Sequence, residues 1–451
     1  MRYLCCLIGS LFVCASFAQY EYPIYETDKM PAAEFSKRRE AIRGRMADGA
    51  VAFFFTNETM VRNNDVDFLF RGDSNFLYLT GFEEPDAVLV LAKNPFTVGG
   101  KAVREVLFTN VANENSITWL GYRMGPENVV KLLGVEHAMP NTDFAGALSS
   151  LLEGRTTVYV SNAPAGGRDL TNRMSQAVNA KLEEAKITPA RDVRNWLSQM
   201  RQIKSPAEIE MLKKASEISA LGHVEVMKAT RPGMREYELG ALLEYYVKKN
   251  GCEFVGYPPI VGAGENSTIL HYQSLRKVMK AGEIICMDAA GEFRGYSSDV
   301  TRSFPVNGRF SPEQKAIYEV VLKANEAGIA RCKPGVTVGQ VGAACSDELA
   351  KGMIALGIIQ NARELGRYYM HGFGHGIGLD VHDPMPGTLA PGACLTVEPG
   401  IYIKAGSPCD PKWWNIGIRI EDAILVTEGE PVNMSKAAPK TVADIERVMA
   451  R

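Results

Sequence analysis

The chain has 451 residues, of which 46% are hydrophobic and 23% are charged. This balance is typical of a soluble globular protein with a buried core, and it excludes a disordered chain, a collagen-like repeat and a polytopic membrane protein. The 50 Lys and Arg residues nearly balance the 52 Asp and Glu residues, so the formal net charge is −2. Because the chain has no overall basic field that would hold phosphates, we expect no nucleic-acid partner.

The first 18 residues have the layout of a secretory signal peptide. Residues 4–17 are almost all apolar or small, and Ser16 and Ala18 occupy the −3 and −1 positions of a cut before Gln19. The apolar run is shorter than the roughly 20 residues that a membrane-spanning helix needs, so we expect no stable membrane anchor. The sequence therefore predicts an exported protein, either periplasmic or secreted.

The rest of the first half alternates between two local patterns. Short apolar runs typical of strands lie at residues 51–55, 87–91, 106–108 and 157–160, and helical patterns lie at residues 33–46 and 128–133. Strands that alternate with helices indicate an α/β domain. A long helical pattern then runs from Pro206 to about Thr230. We predict an N-terminal α/β domain over residues 19–195 and a second domain over residues 196–451.

The second half contains a faint internal repeat, in which Pro-Gly, a helical pattern, a glycine, an apolar strand and an acidic residue follow in that order. The matched positions are Pro232-Gly233, Gly282 and Asp288 in the first copy, and Pro334-Gly335, Gly392 and Glu398 in the second. Each acid precedes a turn and a second predicted strand that bears another acid, Asp299 or Glu421. Two copies of this helix-plus-hairpin unit predict a pseudo-twofold α+β domain with a site at the interface between them.

A histidine-rich segment, residues 371–383, lies between the two pairs of acids. It contains His371, His375 and His382, three of the six histidines in the chain. Carboxylates with few imidazoles and no thiolate suit divalent cations such as Mn²⁺, Co²⁺ or Zn²⁺. Four carboxylates and one histidine can hold two such ions about 3.5–4 Å apart, a geometry suited to sharing a water nucleophile. Alternatively, His371 or His382 is a structural residue that only makes hydrogen bonds.

The motifs around these residues resemble those of the aminopeptidase P (Xaa-Pro aminopeptidase) family of proline-specific pita-bread metallopeptidases. The resemblance is carried by residues 62–63, 70–71, 75–82, 84–87, 269–272, 287–292, 298–305, 371–383, 396–400 and 417–422. These segments span nearly the whole chain after the predicted signal peptide. The resemblance implies an N-terminal α/β domain followed by a pseudo-twofold α+β pita-bread catalytic domain.

The resemblance also implies a metal centre. Its five ligands would be Asp288, Asp299, His375, Glu398 and Glu421. Two Mn²⁺ ions are usual in the family, and Co²⁺ or Zn²⁺ are the alternatives for this chain.

Further roles follow from the same resemblance. Glu398 would be the general base, and Asp299 would also meet the free amine of the substrate. His271, His371 and His382 would bind the substrate or stabilise the tetrahedral intermediate. Arg419, two residues before Glu421, would orient the Glu421 carboxylate without being a metal ligand itself. The implied catalytic residues are therefore Glu398, His371 and His382.

The expected activity is release of an N-terminal residue that precedes proline. A prolidase, which cuts only X-Pro dipeptides, would use the same ligands, but the signal peptide and residues 78–82 favour the aminopeptidase. The extra N-terminal domain argues against a methionine aminopeptidase. A non-catalytic pita-bread protein or a metal-free creatinase-like hydrolase would have lost ligands that this chain keeps.

Two tryptophan-containing segments remain open at this point. Residues 119–125 resemble a loop that, in some relatives, helps to close the active site of a neighbouring subunit, so we expect a homo-oligomer, dimer or tetramer. The alternative for this segment is a surface loop with a packed tryptophan. Trp413 and Trp414 form either a pocket wall or, as we favour, a packed loop.

Overall fold

The structure is a computed structural model that describes residues 22–162 and 169–450. The predicted signal peptide and its cut before Gln19 lie outside the described residues, so the predicted export remains a prediction. Within the described ranges, no helix is both long enough and apolar enough to cross a membrane.

The N-terminal half alternates helices and strands, as the sequence predicts. Its elements are α1 (Ala32–Arg45), β1 (Val51–Phe55), β2 (Val61–Asn63), β3 (Val66–Asp67), α2 (Ser74–Thr80), β4 (Val88–Val98), β5 (Lys101–Thr109), α3 (Glu114–Leu120), α4 (Gly125–Leu133), β6 (Ala138–Pro140), α5 (Phe144–Leu152), β7 (Val158–Val160), α6 (Leu170–Glu184) and α7 (Asp192–Arg201). The four predicted strands and both predicted helices are confirmed. Strands β4 and β5 extend past the predicted runs because they form a hairpin whose turn is Gly99-Gly100.

Five of these strands form one mixed sheet in the order β6-β5-β4-β1-β7. Strand β1 runs antiparallel to β4 and parallel to β7. Its residues are all buried, and successive side chains point to opposite faces. Phe53 and Phe55 pack with Phe144 of α5, whereas Phe54 packs with Ile42 of α1 and Phe76 of α2. Helices therefore cover both faces of the sheet, which makes this half an α/β domain.

The second half contains the remaining elements. These are α8 (Pro206–Ala229), α9 (Glu236–Lys249), β8 (Phe254–Val255), β9 (Ile260–Ala263), β10 (Ile284–Asp288), β11 (Gly291–Phe293), β12 (Tyr296–Ser297), β13 (Thr301–Pro305), α10 (Pro312–Arg331), α11 (Val338–Ala355), β14 (Cys394–Val397), β15 (Gly400–Ile403), β16 (Ile416–Arg419), β17 (Asp422–Leu425), β18 (Val432–Asn433) and α12 (Val442–Met449). Helix α8 begins where the sequence predicts, because Ser205 and Glu208 form a reciprocal capping box and Pro206 occupies the first turn.

The internal repeat is visible in the fold. In the first copy β13 pairs antiparallel with β10, and in the second copy β17 pairs antiparallel with β14. Between the paired strands, β11–β12 and β15–β16 each form a short hairpin. The two Pro-Gly turns also match: the amide of Gly233 donates to the carbonyl of Met279 and that of Gly335 to Leu389, at 2.8 and 2.9 Å. Both glycines have positive φ, a conformation that other residues rarely adopt.

One detail of the predicted repeat is wrong. We expected Asp299 and Glu421 to lie within second strands, but each falls in the short gap between two strands, as Glu398 also does. Only Asp288 is the last residue of a strand. The reason is topological: the chain leaves the hairpin and returns to pair with the first strand of its copy. The residues at this crossing lie between the paired strands, and their side chains line a common cavity.

The two tryptophan segments differ in environment. Trp119 lies in α3, not in a loop, and 78% of it is exposed, so the packed alternative is wrong for this residue. Trp413 is buried in the main core of the second half, and the indole N–H of Trp414 donates to the carbonyl of Ser407 at 3.1 Å. The packed-loop alternative is therefore confirmed for this pair.

Candidate metal centre

One cavity of about 580 Å³ collects every residue that the sequence predicts for the site. Its lining includes Asp288, Asp299, Glu398, Glu421, His271, His371, His375, His382 and Arg419. The acids come from both copies of the repeat, and the histidine-rich segment joins them from the side of β14. The predicted residues are thus brought together, although their individual roles remain hypotheses.

The histidine loop, residues 371–383, is held alongside β14 by its backbone. The amide of Thr396 donates to the carbonyl of His375 at 2.8 Å, and the amide of Glu398 donates to Phe373 at 2.7 Å. Gly374 permits this approach, because a Cβ at that position would lie 2.0 Å from the carbonyl oxygen of Thr396. The close backbone pairing fixes His375 beside Glu398.

The centre of the cavity is a cluster of oxygen and nitrogen donors. One donor atom each of Asp299, His375 and Glu421 lie within 4.8 Å of one another. Nε2 of His375 is 3.4 Å from Oδ2 of Asp299 and 3.5 Å from Oε1 of Glu398. Nδ1 of His375 lies 3.0 Å from the carbonyl oxygen of Gly376, to which it can only donate. Nε2 is therefore the ring nitrogen that faces the carboxylates and is available as a ligand.

The electrostatics of the cluster fit bound cations. Burial and the neighbouring Asp288 raise the pKa of Asp299, and burial raises the pKa of Glu398 to about 7. Burial, with Asp299 and Glu398 beside it, places the pKa of Glu421 well above its usual value. Burial lowers the pKa of His375, but Asp299 and Glu398 outweigh this and raise it to about 9. These shifts express an excess of buried negative charge, which divalent cations would neutralise.

His371 and His382 differ in their surroundings: both ring nitrogens of His371 are hydrogen-bonded within the protein, whereas His382 is exposed. Nδ1 of His371 donates to the carbonyl of Gly372 and Nε2 accepts from the Tyr402 hydroxyl, both at 2.8 Å. Burial and the charge of Arg419 lower the pKa of His371 to about 4, so the ring is neutral. The rings of His382 and His375 are 4.1 Å apart, and His382 is exposed to the cavity.

Arg419 contacts a different acid from the one predicted. Its Nη2 donates to Oδ2 of Asp288 at 2.6 Å, and its Nε donates to Oγ1 of Thr301 at 3.1 Å. Thr301 in turn donates to Oε2 of Glu421 at 2.6 Å. The prediction that Arg419 orients Glu421 therefore holds only through Thr301, because Glu421 lies beyond the end of β16.

Two tyrosines of the site were not among the predicted residues. The hydroxyl of Tyr257 lies within hydrogen-bond distance of both Asp288 and Asp299 and can donate its one proton to either, and burial beside these acids keeps its pKa well above the usual value. The hydroxyl of Tyr402 accepts from Nη1 of Arg419 at 2.9 Å. Tyr257 lies in a Tyr-Pro-Pro turn with no periodic pattern, whereas Tyr402 follows the 396–400 motif and could have been found by its position in β15.

The second domain follows an α/β domain along the chain, and it holds four carboxylates and an imidazole at the interface of its pseudo-twofold repeat. These features define the class of pita-bread metallopeptidases. A model of metallopeptidase family M24 matches residues 210–428, and a model of the aminopeptidase P N-terminal domain matches residues 35–159. The predicted order of domains is confirmed. The predicted boundary between residues 195 and 196 falls inside α7 and outside both matches, so it stays a prediction.

Similar proteins place the chain more narrowly. It is 35% identical to an Xaa-Pro aminopeptidase of Escherichia coli, over 92% of this chain and 97% of that one. It is 31% identical to human Xaa-Pro aminopeptidase 3, over 94% and 87% of the two chains. The solved aminopeptidase PepP of Pseudomonas aeruginosa has a TM-score of 0.85 and 37% identity, with coverage of 94% and 98%. The chain belongs to the Xaa-Pro aminopeptidase group of metallopeptidase family M24.

The metal requirement agrees with a second solved relative. A zinc-substituted aminopeptidase P of E. coli in complex with product has a TM-score of 0.86 and 34% identity, with coverage of 93% of this chain and 98% of that one. Together with the donor cluster, this supports divalent cations as the cofactor of this chain.

Proposed function

We propose that the protein is an exopeptidase that hydrolyses the bond between an N-terminal residue and a proline in the second position. The observation that carries this proposal is the single cavity in which all nine predicted site residues meet, in a chain of the Xaa-Pro aminopeptidase group. The substrates are peptides with N-terminal X-Pro.

The proposed cofactor is a pair of divalent cations, with Mn²⁺ as the native ion and Co²⁺ or Zn²⁺ as substitutes. The five ligands would be Asp288, Asp299, His375, Glu398 and Glu421. Their oxygen-rich composition favours Mn²⁺ over softer ions. When bound, such cations supply Lewis acidity, which polarises the scissile carbonyl and lowers the pKa of water.

Glu398 is the proposed general base. Its amide donates to the carbonyl of Phe373 at 2.7 Å and its Oε1 accepts from Oγ1 of Thr396 at 3.4 Å, so the carboxylate is held in place among the residues that line the cavity. A carboxylate beside a metal-bound water can accept a proton from that water and return it to the departing proline nitrogen. Asp299 would meet the free ammonium of the substrate, which would restrict cleavage to the first residue.

The histidines around the rim supply the remaining polar contacts. His271 and His382 are exposed to the cavity and would hydrogen-bond to the substrate or to the tetrahedral intermediate. His371 would act together with Tyr402, because the two side chains share a hydrogen bond. Through this bond their protons can rearrange as negative charge develops on the substrate. One donor to a developing oxyanion contributes about 2.7–4 kcal/mol to catalysis.

A panel of three matched peptides tests the activity. The Mn²⁺-loaded protein should release the first residue from X-Pro-Y peptides and leave X-Ala-Y peptides intact. The control is the Glu398→Gln variant, which keeps the shape of the site but cannot accept a proton. Cleavage of X-Pro dipeptides alone would indicate a prolidase, and cleavage of none of the three would contradict the proposal.

We also propose that the protein is exported and forms a homo-oligomer. The signal-peptide layout supports export, and N-terminal sequencing of the native protein should find Gln19 first. Trp119, Leu120 and Tyr122 are 78%, 66% and 47% exposed, an apolar surface typical of a subunit contact. Light scattering of the wild type and of Trp119→Ser tests the oligomer; a wild-type monomer would contradict it.

A further inference from the structure

His382 lies at the tip of a turn that is closed by buried charges. The carboxylate of Asp383, only 1% exposed, accepts from the Arg201 guanidinium, and its Oδ2 accepts from Nζ of Lys204 at 2.9 Å. Its Oδ1 also accepts from the backbone amide of Asp380 at 3.1 Å. Residues 380–383 therefore form a compact turn that is fixed at its base, with His382 just before the buried acid.

The other end of this turn is tied to the N-terminal domain. Oδ2 of Asp380 accepts from Nη2 of Arg201 and Oδ1 accepts from Oγ of Ser74, both at 2.6 Å. Next to it, Nη2 of Arg71 donates to the carbonyl of Leu379 at 2.8 Å. Ser74 begins α2 and Arg71 lies three residues before it, so the start of α2 and the segment that leads into it hold the catalytic-domain loop from outside.

The turn separates two cavities. Asp380 and His382 line the metal-binding cavity, where the His382 ring approaches His375. On the other side of Asp380 lies a polar cavity of about 400 Å³, whose lining includes Arg71, Ser74 and Arg201. Because His382 is exposed to the metal-binding cavity, and Asp380 borders the second cavity, the position of the ring depends on the anchors of the turn more than on apolar packing.

We propose that Asp380 is a positioning residue for His382, and that Arg201 and Ser74 are the groups through which it acts. Asp380 does not touch the reacting atoms; it sets where the imidazole two residues later stands relative to the metal ligands. This inference rests on the proposed role of His382 in substrate binding. It also gives the N-terminal domain a part in catalysis, because Ser74 belongs to that domain.

A double-mutant cycle tests this assignment. Asp380→Asn keeps the shape of the side chain but removes its charge, and 48% of the Asp380 side chain is exposed, so the fold should tolerate the change. We expect the kcat/KM for X-Pro-Y to fall about tenfold to a hundredfold, the effect of an ångström-scale displacement of a catalytic group. In the His382→Ala background the same change should cost less than about twofold, because the group that it positions is gone. Asp380→Glu should restore part of the loss.

The control is Asp28→Asn, which removes another half-exposed ion pair to the catalytic domain, that between Asp28 and Arg294 at 2.8 Å. Activity should be unchanged in this variant. A second readout uses the metal-free protein: diethyl pyrocarbonate should modify His382 faster in Asp380→Asn than in the wild type, as measured by mass spectrometry.

The outcomes separate the inference from the proposed function. Equal losses from Asp380→Asn with and without His382, loss of bound metal on elemental analysis, or unchanged His382 reactivity would each overturn the positioning role alone. Full activity of His382→Ala would overturn the role of that histidine and the inference with it. Absence of X-Pro-Y hydrolysis in the wild type would contradict the proposed function instead.

Discussion

Replacing Glu398 with Gln should separate what this side chain costs the fold from what it contributes to catalysis. The backbone at this position is held by the hydrogen bond to Phe373 and is followed at once by Pro399 and strand β15. Gln has the same shape and can keep the contact with Thr396, so the turn should not move. The change therefore alters charge and proton affinity with little change in packing.

The stability effect follows from the pKa of Glu398. Burial raises this pKa from its usual 4.5 to about 7, so the ionised form destabilises the folded state. The cost is absent below about pH 4.5 and complete above about pH 7. At about 1.4 kcal/mol per pKa unit, it is on the order of 3 kcal/mol at pH 8. Gln does not ionise, so the metal-free variant should be more stable than the metal-free wild type at pH 8.

The expected shift is measurable. Unfolding entropy of about 2 cal/mol/K per residue gives about 0.9 kcal/mol/K for a chain of this size, so Tm should rise by about 3 °C at pH 8 and by much less at pH 5. With Mn²⁺ bound, the wild type should have the higher Tm, because the Glu398 carboxylate attracts the cations more strongly than the Gln amide does. Calorimetry with chelator and with Mn²⁺ measures both, and Glu430→Gln is the control, since that carboxylate is 81% exposed.

The same variant tests the base. With metal content matched by elemental analysis, kcat for X-Pro-Y should fall by about 10²–10⁴, the usual contribution of a general base, with a smaller change in KM. A metal-free Tm that falls at pH 8 would refute the electrostatic reasoning. A fully metallated Glu398→Gln protein with kcat within a factor of ten of wild type would move the base role to another residue.

Three further results are expected. Exhaustive chelation should abolish activity and Mn²⁺ should restore it; full activity in protein that elemental analysis finds metal-free would contradict the metal dependence. Arg419→Lys should weaken Mn²⁺ binding about 10–100-fold in a titration, because a single ammonium cannot keep the separate contacts that the guanidinium makes with Asp288, Thr301 and Tyr402; unchanged affinity would show that these contacts are dispensable. Arg302→Met should lower the free energy of unfolding by about 3–5 kcal/mol, since it and Asp422 are both fully buried, whereas Lys333→Met on the surface should cost less than about 1 kcal/mol.

Much of the molecule could be predicted from the sequence because the evidence is local. The apolar run of β1 and the capping sequence of α8 identify their elements without reference to the rest of the chain. The repeated spacing from Gly282 to Asp288 and from Gly392 to Glu398 also indicates equivalent positions in two matched units. Equivalent positions in a pseudo-twofold fold meet at the interface, so the repeat points to the four acids, whereas the choice of His375 among the three neighbouring histidines comes from the family resemblance.

The contacts that complete the site are decided by tertiary structure. Tyr257 reaches Asp288 from 31 positions away, and Arg419 reaches it from 131 positions away. Arg201 is 182 positions from Asp383, and nothing in its own neighbourhood marks it as a partner of the histidine loop. A side chain buried in an apolar repeat is predictable because its environment follows from periodicity. A polar side chain is satisfied by whichever group the fold brings within about 3 Å, and that group is fixed only when distant strands and helices pack together.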